Sequence, residues 1–417
     1  MFICDIIFLM RIFSKKQKYL FYFMLFSSVF FFFACSKNKG VSSVNEENLF
    51  SIEYGNFEDE INLFDISDVG SLSTYMTMHN GFFYIANGES KKILELNSYG
   101  DLLNLFYNDE EMESQKFADK NARNSTKKAI SYPFNQLGPL AVDSRNYLYA
   151  ADVLPAEKHE HDESQRLLLN FVILRFDSDG NFVDYIGQQG PGGTPFPFVK
   201  NIYVTKLNEL VVLCTTNEGP FVYWYNEKGF LLYKIPITHQ TIPDPVKDKD
   251  DTSGGKFYSS VGNVVPDWSS HKLFIHVDYY QEAVDSDSKI LNGVDYAMSW
   301  LYQLDLETKR YEEPLEIPSY ENVNLDSLTK ETYEIPYDFL GVTENGWFFF
   351  IIPDDNGYLT QMVQPDGQRI IKRSLSADHA KNVYASLSLS DGGIISGLFI
   401  QSDSAKIKWW RTDSLIY

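Results

Sequence analysis

Histidine and carboxylate side chains that stand close together in the sequence are the first candidates for chemistry. His159 and His161 occupy positions i and i+2 of a polar segment, a spacing that brings two imidazoles within reach of one metal ion. A metal site needs further ligands that the sequence does not place, so a solvated loop is the simpler interpretation. His276 and Asp278 alternate along one predicted strand and can present polar groups to the mouth of a channel. A satisfied, half-buried strand explains these two residues equally well.

No motif organises these groups into a known catalytic site. The chain contains no Gly-x-Ser-x-Gly, His-Glu-x-x-His or phosphate-loop sequence. Four aspartates, Asp244, Asp248, Asp250 and Asp251, resemble a calcium loop in composition only, because the ligand spacing and final glutamate of an EF-hand are missing. Cys214 follows Leu-Val-Val-Leu and is expected to be a small buried hydrophobe. We therefore predict no catalytic residue, no metal and no cofactor.

The N-terminal residues follow the order of a signal peptide. Four basic residues come first: Arg11, Lys15, Lys16 and Lys18. An apolar run over residues 19–33 then ends at Ala34 and Cys35. This run is shorter than the roughly 20 residues that a membrane-spanning helix needs. We predict that residues 1–34 are cleaved as a signal peptide and that translation begins at Met10.

Residues 32–35, Phe-Phe-Ala-Cys, resemble the lipobox of bacterial lipoproteins, in the looser form of spirochaete lipoproteins because Phe32 stands where leucine is usual. The resemblance implies that Cys35 is acylated, for instance with palmitate, and holds the protein on a membrane of the cell envelope. Residues 35–47 then form a polar tether. An ordinary secretory peptide with an incidental cysteine is the alternative. Cys214 is the one cysteine of the domain beyond the tether, so no disulfide forms within that domain.

Charge restricts the partners. The formal net charge is -21, and it becomes -24 once the signal, with four basic residues and one acidic residue, is removed. A surface this acidic repels phosphates, so we expect no nucleic-acid partner. The predicted partners are the membrane, through the lipid anchor, and a protein of the envelope.

Short aromatic and β-branched segments, separated by turn residues, recur along the chain after the signal. Six copies of a strand-turn-strand unit begin at Gly81, Asn146, Asn208, Lys272, Gly346 and Gly392. Such repetition predicts an all-β fold, a six-bladed β-propeller over residues 48–417. The last unit ends the chain, so residues 48–66 must complete the ring. A pair of β-sandwiches is the structural alternative.

Residues 132–198 carry the most regular copy of the unit. Its features are an aromatic and proline lead-in, an aspartate before the first turn, one after each of two strands, and an Asp-Gly turn: Tyr132-Pro-Phe, Asp143, Asp152, Asp177 and Asp179-Gly180. This stretch resembles the NHL repeat. The resemblance implies a propeller fold, and NHL propellers generally serve as binding or scaffold modules, although some relatives are metal-dependent lyases.

Insertions indicate where a partner binds. The long segments are residues 107–137, 159–167, 238–257, 281–298 and 319–334, and all join blades or join second to third strands. In a propeller these two connections emerge on one face, which we predict to be the recognition surface. Its candidate residues are Tyr132, Asp152, His159, His161, Phe196, Trp268, Tyr279 and Tyr280. We expect a membrane-anchored binding or scaffold module; a metal-dependent lyase or hydrolase of the envelope and a surface-exposed adhesive lipoprotein are alternatives.

Overall fold

The computed structural model describes residues 41–63, 74–110, 128–243, 257–284, 291–324 and 331–416. The predicted signal peptide, Cys35 and the four aspartates of residues 244–251 lie outside the described residues. Strands dominate the described part. Three short 3₁₀ helices accompany them: Ala156–Lys158, His379–Lys381 and Thr412–Leu415.

Six antiparallel sheets follow one another along the chain as the blades of a propeller, numbered 1 to 6 from the N-terminus. Blade 1 contains Thr74–His79, Phe82–Asn87, Lys92–Leu96 and Leu102–Tyr107, with Lys128–Ser131 added in parallel at its edge. Blade 2 contains Leu137–Val142, Leu148–Val153, Phe171–Phe176, Phe182–Gly187 and the short strand Gly190–Pro191. Blade 3 contains Val199–Val204, Leu210–Thr216, Gly219–Tyr225 and Leu231–Pro236.

Blades 4 to 6 repeat the pattern with longer strands and additions. Blade 4 contains Phe257–Pro266, Lys272–Val284, Leu291–Asp305 and Arg310–Tyr311, with Leu315–Ile317 also paired to its third strand. Blade 5 contains Asp338–Val342, Phe348–Asp354, Gly357–Val363 and Ile370–Ser376, with Ser43–Val44 in parallel at its edge. Blade 6 contains Tyr384–Leu389, Ile395–Ile400, Ala405–Trp410 and Glu46–Ile52. The predicted six-bladed β-propeller is confirmed.

The N-terminal segment closes the ring. Strand Glu46–Ile52 pairs antiparallel with Ala405–Trp410 and is the outer strand of blade 6, so the last blade is built from both ends of the chain. Glu47 Oε2 accepts a hydrogen bond of 2.7 Å from Trp409 Nε1 across this pair. Regular pairing begins at Ser43, within the segment predicted as a tether.

Hydrophobic side chains fill the spaces between neighbouring blades. Each of six buried clusters combines residues of two adjacent blades, including the pair formed by blades 6 and 1. The cluster between blades 6 and 1 contains Ile52 of the closing strand together with Phe83 and Ile407. Because every blade buries both of its faces in this way, the ring is held by side-chain packing between sheets.

The two faces of the ring differ in their connections. We call the face where the inner strands begin the elaborated face and the face where they end the tight-turn face. Turns on the tight-turn face are short, and the turn after Phe176 shows why: Asp177 Oδ1 accepts hydrogen bonds from the backbone N–H groups of Asp179 and Asn181, while Gly180 has a φ of 78°. Side-chain acceptors and left-handed glycine are what such turns require.

Insertions in the described residues lie on the elaborated face. Two of them are hairpins: Glu160–Asp162 pairs with Leu167–Leu169, and Tyr320–Asn324 pairs with Glu331–Ile335. The prediction of a loop over residues 281–298 was wrong, because the second and third strands of blade 4 remain paired out to Val284 and Leu291. Water bathes both sides of this extension, so its sequence lacks the apolar alternation that reveals a strand.

Candidate functional site

The blade 4 hairpin projects from the elaborated face. Its strands Lys272–Val284 and Leu291–Asp305 run beyond the blade, and the side chains of Leu291 and Val294 near its tip are 57% and 55% exposed. Tyr280 and Tyr296 meet edge to face across the hairpin with ring centroids 6.1 Å apart. Tyr258 of the inner strand donates a hydrogen bond of 2.9 Å to Glu282 Oε1. The hairpin is thus braced by rings and hydrogen bonds and exposes apolar side chains near its tip.

A cavity of about 400 Å³ lies at the foot of this hairpin, toward the elaborated face. Three neighbouring blades supply its walls: Lys200 and Asn201 from blade 3, Gly262, His276 and Asp278 from blade 4, and Asp338 from blade 5. The inner strand of blade 4 bulges here, because its register with the second strand shifts between Val261 and Val264. Bulges next to functional sites re-aim side chains, and this one brings the inner strand close to His276.

His276 is the most enclosed polar residue of the cavity. Its side chain is 1% exposed, packs against the rings of Phe339 and Phe350, and places Nε2 3.5 Å from Asp278 Oδ1. Nε2 makes no hydrogen bond with the described residues. Burial lowers the pKa of His276 to about 4, because the imidazolium loses its hydration and the charge of Asp338 only partly compensates. The ring is therefore neutral at pH 7.

Asp278 is a carboxylate whose charge is poorly solvated. Burial raises its pKa to about 6, the hydroxyl of Ser299 opposes the rise by donating a hydrogen bond to Oδ1, and the charge of Asp338 adds to it. Tyr296 hydroxyl lies 3.0 Å from Ser299 Oγ and extends this chain of hydrogen bonds. A carboxyl group that titrates near neutrality beside a neutral imidazole can exchange protons with a bound molecule.

Lys200 and Asp338 stand at the mouth of the cavity with opposite charges. Lys200 Nζ donates a hydrogen bond of 3.2 Å to the carbonyl oxygen of Gly262. Burial lowers the pKa of Lys200, and the charge of Asp338 opposes this shift. Across the cavity, Asn263 Nδ2 donates to the carbonyl oxygen of Phe339 at 3.1 Å. Charged groups of both signs and an amide thus surround one opening.

The inner strands also enclose a second cavity, about 430 Å³, along the propeller axis. At its tight-turn end lie His79, Trp268 and Asp391. Burial lowers the pKa of His79, while the charges of Asp391 and Asp143 oppose the change. His79 Nε2 is 2.9 Å from the side-chain amide of Asn80, so this histidine already has a partner. Tyr203, whose hydroxyl is buried and makes no hydrogen bond with the described residues, also lines the axial cavity.

Three of the residues predicted to form the binding face instead pack or form hydrogen bonds within the propeller. Phe196 is fully buried between blades 2 and 3, and Tyr132 packs in a group of aromatic rings with Phe176 and Phe182. Asp152 is 6% exposed. Its carboxylate accepts hydrogen bonds from the backbone N–H groups of Asn135 and Gln136, and the bond from Gln136 is the shorter at 2.8 Å. Burial raises the pKa of Asp152 to about 7, although these donors oppose the rise. This carboxylate fastens the lead-in segment to blade 2.

The remaining predicted residues divide between faces. His159 and His161 lie on the elaborated face, where His159 Nε2 is 2.7 Å from the carbonyl oxygen of Leu154 and His161 is exposed in the hairpin. Tyr280 lies on the blade 4 hairpin, and the neighbouring Tyr279 is 4% exposed with its hydroxyl 2.9 Å from Tyr302 hydroxyl. Trp268 was predicted near the elaborated face but lies in the turn after Pro266, on the tight-turn face. The structure does not gather these residues into one site.

Sequence reasoning missed Lys200, Ser299 and Asp338, which surround His276 and Asp278. Along the chain, Lys200, Ser299 and Asp338 lie 76, 23 and 62 positions from His276, and no local motif joins them. Asp338 follows an aromatic residue at the start of an inner strand, the end that lies on the elaborated face. That position is the one signal the sequence offered.

The described residues show neither a metal centre nor a membrane-spanning helix. No group of three or more histidine, cysteine, aspartate or glutamate side chains is arranged there to hold a metal ion. In the same residues, no helix is long and apolar enough to cross a membrane.

Known proteins resemble the chain only in architecture. No known protein family matches the sequence, and no curated protein does. Among solved structures, hydrazine synthase of Kuenenia stuttgartiensis is 9% identical over 81% of this chain and 82% of its own, with a TM-score of 0.41. A gluconolactonase of Xanthomonas campestris is 9% identical over 90% and 98%, with a TM-score of 0.38. An ulvan lyase of a polysaccharide lyase family is 11% identical over 88% and 83%, with a TM-score of 0.37. These values carry no argument about activity, and the six-bladed propeller rests on the strand pairing.

Proposed function

We propose that this protein is a lipid-anchored protein of the cell envelope whose propeller binds a protein partner through its elaborated face. The observation that carries the proposal is the pair of hairpins in which Leu168, Leu291 and Val294 are 42%, 57% and 55% exposed. Apolar side chains at the tips of braced hairpins are suited to enter pockets of a partner, as interface anchors do.

Acidic residues surround these apolar tips. Glu160 and Glu163 lie on the blade 2 hairpin, and Glu282 and Asp295 lie on the blade 4 hairpin. Together with a net charge of -24 after signal removal, this arrangement favours a partner with an apolar centre and a basic rim. We expect association that weakens as salt concentration rises, because salt screens the charges at the rim.

A pull-down from detergent-solubilised envelopes tests the proposal. The full-length protein serves as bait, and any recovered protein is purified so that its affinity can be measured. Replacing Leu291 and Val294 together by serine should weaken binding at least about tenfold, the effect of removing interface anchors. Tyr99→Ser is the matched control, since Tyr99 is 85% exposed in a turn of the tight-turn face. Equal affinity of the double variant and the wild type would refute the proposal.

Anchoring is tested separately. The order of basic residues, apolar run and Ala34-Cys35 supports acylation of Cys35. Cys35→Ser should shift the protein from the membrane fraction to the soluble fraction, while Cys214→Ser, which alters the buried cysteine of blade 3, should leave it on membranes. Retention of the Cys35 variant after high-salt and carbonate washes would contradict a lipid anchor.

The NHL assignment remains part of the proposal. In blade 2, Asp177 accepts backbone hydrogen bonds within the Asp-Gly turn, and Asp152 accepts a backbone hydrogen bond from the lead-in segment. Two of the aspartates that carry the resemblance therefore stabilise the blade. This supports a relationship with NHL-type scaffold propellers at the level of one blade.

A lyase or hydrolase is the second candidate function. The neutral His276 beside the Asp278 carboxyl group, both lining a cavity, favours it because proton transfer needs such a pair. An enzyme would lose activity in His276→Gln and Asp278→Asn, whereas the binding function predicts normal partner affinity in these variants. Protease shaving of intact cells separates both from a surface adhesive lipoprotein, which alone must be exposed outside.

A further inference from the structure

The cavity beside the blade 4 hairpin contains a buried polar atom without a partner. His276 is 1% exposed, and its Nε2 makes no hydrogen bond with the described residues, although Asp278 Oδ1 lies 3.5 Å away. An unpaired buried polar atom costs free energy, so native proteins rarely keep one without a reason. Because His276 lines a cavity, the missing partner can be a molecule that enters it.

The inner strand is shaped to leave room for the imidazole ring of His276 at the wall of the cavity. The bulge between Val261 and Val264 includes Gly262, and a Cβ there would lie 3.0 Å from His276 Nδ1. A side chain at position 262 would therefore press on the imidazole. The volume of about 400 Å³ is within the range of about 300 to 1,000 Å³ typical of small-molecule sites.

The walls offer both hydrogen-bond donors and acceptors. Lys200 and Asn201 can donate hydrogen bonds, and Asp278 and Asp338 can accept them. The neutral ring of His276 donates at one nitrogen and accepts at the other. The two carboxylates repel an anion, as does the acidic protein as a whole. Lys200 at the mouth offsets the charge of one of these carboxylates. Hydroxyl groups both donate and accept without bearing charge, so they match this mixture best.

We propose that this cavity binds a small uncharged, polyhydroxylated molecule, a mono- or disaccharide, with a hydroxyl group on His276 Nε2. Phe339 and Val261 supply apolar surface for the carbon-bound hydrogens of the sugar ring. The carboxylates of Asp278 and Asp338 accept hydrogen bonds from further hydroxyl groups, and Lys200 donates one. The site is separate from the exposed hairpin tip proposed to bind a protein partner.

Saturation-transfer NMR and calorimetry on the intact protein test this proposal. The probes are glucose, galactose, N-acetylglucosamine, maltose and cellobiose, with glucuronate as the anionic counterpart of glucose. At least one neutral sugar should bind saturably, with a Kd below about 10 mM. Glucuronate should bind at least about tenfold more weakly than glucose, since one unfavourable charge contact easily changes affinity tenfold.

Asp338→Asn is the main variant, because this side chain is exposed at the mouth and its change leaves the core intact. It should weaken sugar binding about tenfold or more, as expected for loss of a charged hydrogen-bond acceptor. The matched control is Asp355→Asn, an exposed aspartate in the turn between the second and third strands of blade 5, outside the lining of this cavity. His276→Gln should also weaken binding, and its folding is checked by circular dichroism.

Three results would overturn the proposal: no neutral sugar of the panel binds, glucuronate binds at least as tightly as glucose, or the Asp338 and Asp355 variants weaken binding equally. Substitution of Leu291 and Val294 should leave sugar affinity unchanged. Failure of sugar binding with normal partner binding would remove this inference alone, and the reverse pattern would remove the partner proposal alone.

Discussion

His276 and Asp278 share one cavity but should respond to pH in opposite directions. Burial lowers the pKa of His276 from 6.5 to about 4 and raises the pKa of Asp278 from 3.8 to about 6. Both changes favour the neutral form in the folded protein. Between about pH 6 and pH 4, the unfolded chain therefore holds a proton on His276 and none on Asp278, whereas the folded protein does the reverse.

The signs of the two contributions follow from this difference. As pH falls through this range, the unfolded chain gains a proton on His276 that the folded protein does not, which reduces the free energy of unfolding. The folded protein gains a proton on Asp278 that the unfolded chain does not, which increases it. Shifts of this size correspond to roughly 2 to 3 kcal/mol for each group over the range, so the contributions nearly cancel in the wild type.

Single substitutions should uncover each contribution. Relative to the wild type, His276→Gln should gain roughly 2 to 3 kcal/mol in unfolding free energy from pH 7 to pH 4, and Asp278→Asn should lose a similar amount. Urea unfolding followed by tryptophan fluorescence at several pH values measures this. A group such as Asp152, whose pKa burial raises to about 7, titrates in every variant and cancels in the comparison. Two variants that both keep the wild-type pH profile would refute the burial argument.

Two further predictions concern stability. Ile52→Ala in the closing strand should lower the free energy of unfolding by about 2 to 5 kcal/mol, because Ile52 is 4% exposed in the cluster between blades 6 and 1. The control is Val383→Ala, at a residue 64% exposed, which should lower it by less than about 0.5 kcal/mol. Similar urea midpoints for the two variants would contradict closure of the ring by this strand. Asp152→Ala leaves the backbone N–H groups of Asn135 and Gln136 without their acceptor and should lower the free energy of unfolding by about 2 to 4 kcal/mol. Asp152→Asn keeps one acceptor oxygen and should lower it by less. Equal decreases in the two variants, measured by urea unfolding, would show that these hydrogen bonds contribute little.

The number of blades could be predicted from the sequence because each blade repeats the same local requirements. Buried strands show apolar and aromatic runs, and turns of the tight-turn face show residues with positive φ, such as Asn146, Asn208 and Gly229. These features are local and survive in each copy. The closing strand could be placed as well, since the last unit lacked an outer strand and only the N-terminal segment remained to supply it.

The site could be predicted only in part. His276 and Asp278 were visible as alternating polar residues on one strand, but Lys200 and Asp338 come from other blades and meet them only in the folded ring. Residue type also fails to separate anchors from core. Phe196 is 0% exposed because aromatic rings fill the spaces between blades as readily as they form interfaces.

Packing between blades explains why insertions avoid the tight-turn face. A Cβ at Gly229, in the last turn of blade 3, would lie 2.6 Å from Ile186 Cδ1 of blade 2. Three other turns of this face also lie against the preceding blade, or against a strand paired to that blade. The contacts are Gly100 with Phe50, Gly180 with Ile130 and Gly367 with Leu315. An insertion at such a turn would separate two blades.

The elaborated face has no such constraint, so insertions accumulate there for structural reasons alone. Their number is therefore weak support for a binding function. The case for function rests on the chemistry at that face. His276 Nε2 is buried and unpaired beside a cavity, and Leu291 and Val294 are exposed near a hairpin tip. Both features cost stability or solubility in the free protein, and a bound molecule at each would remove that cost.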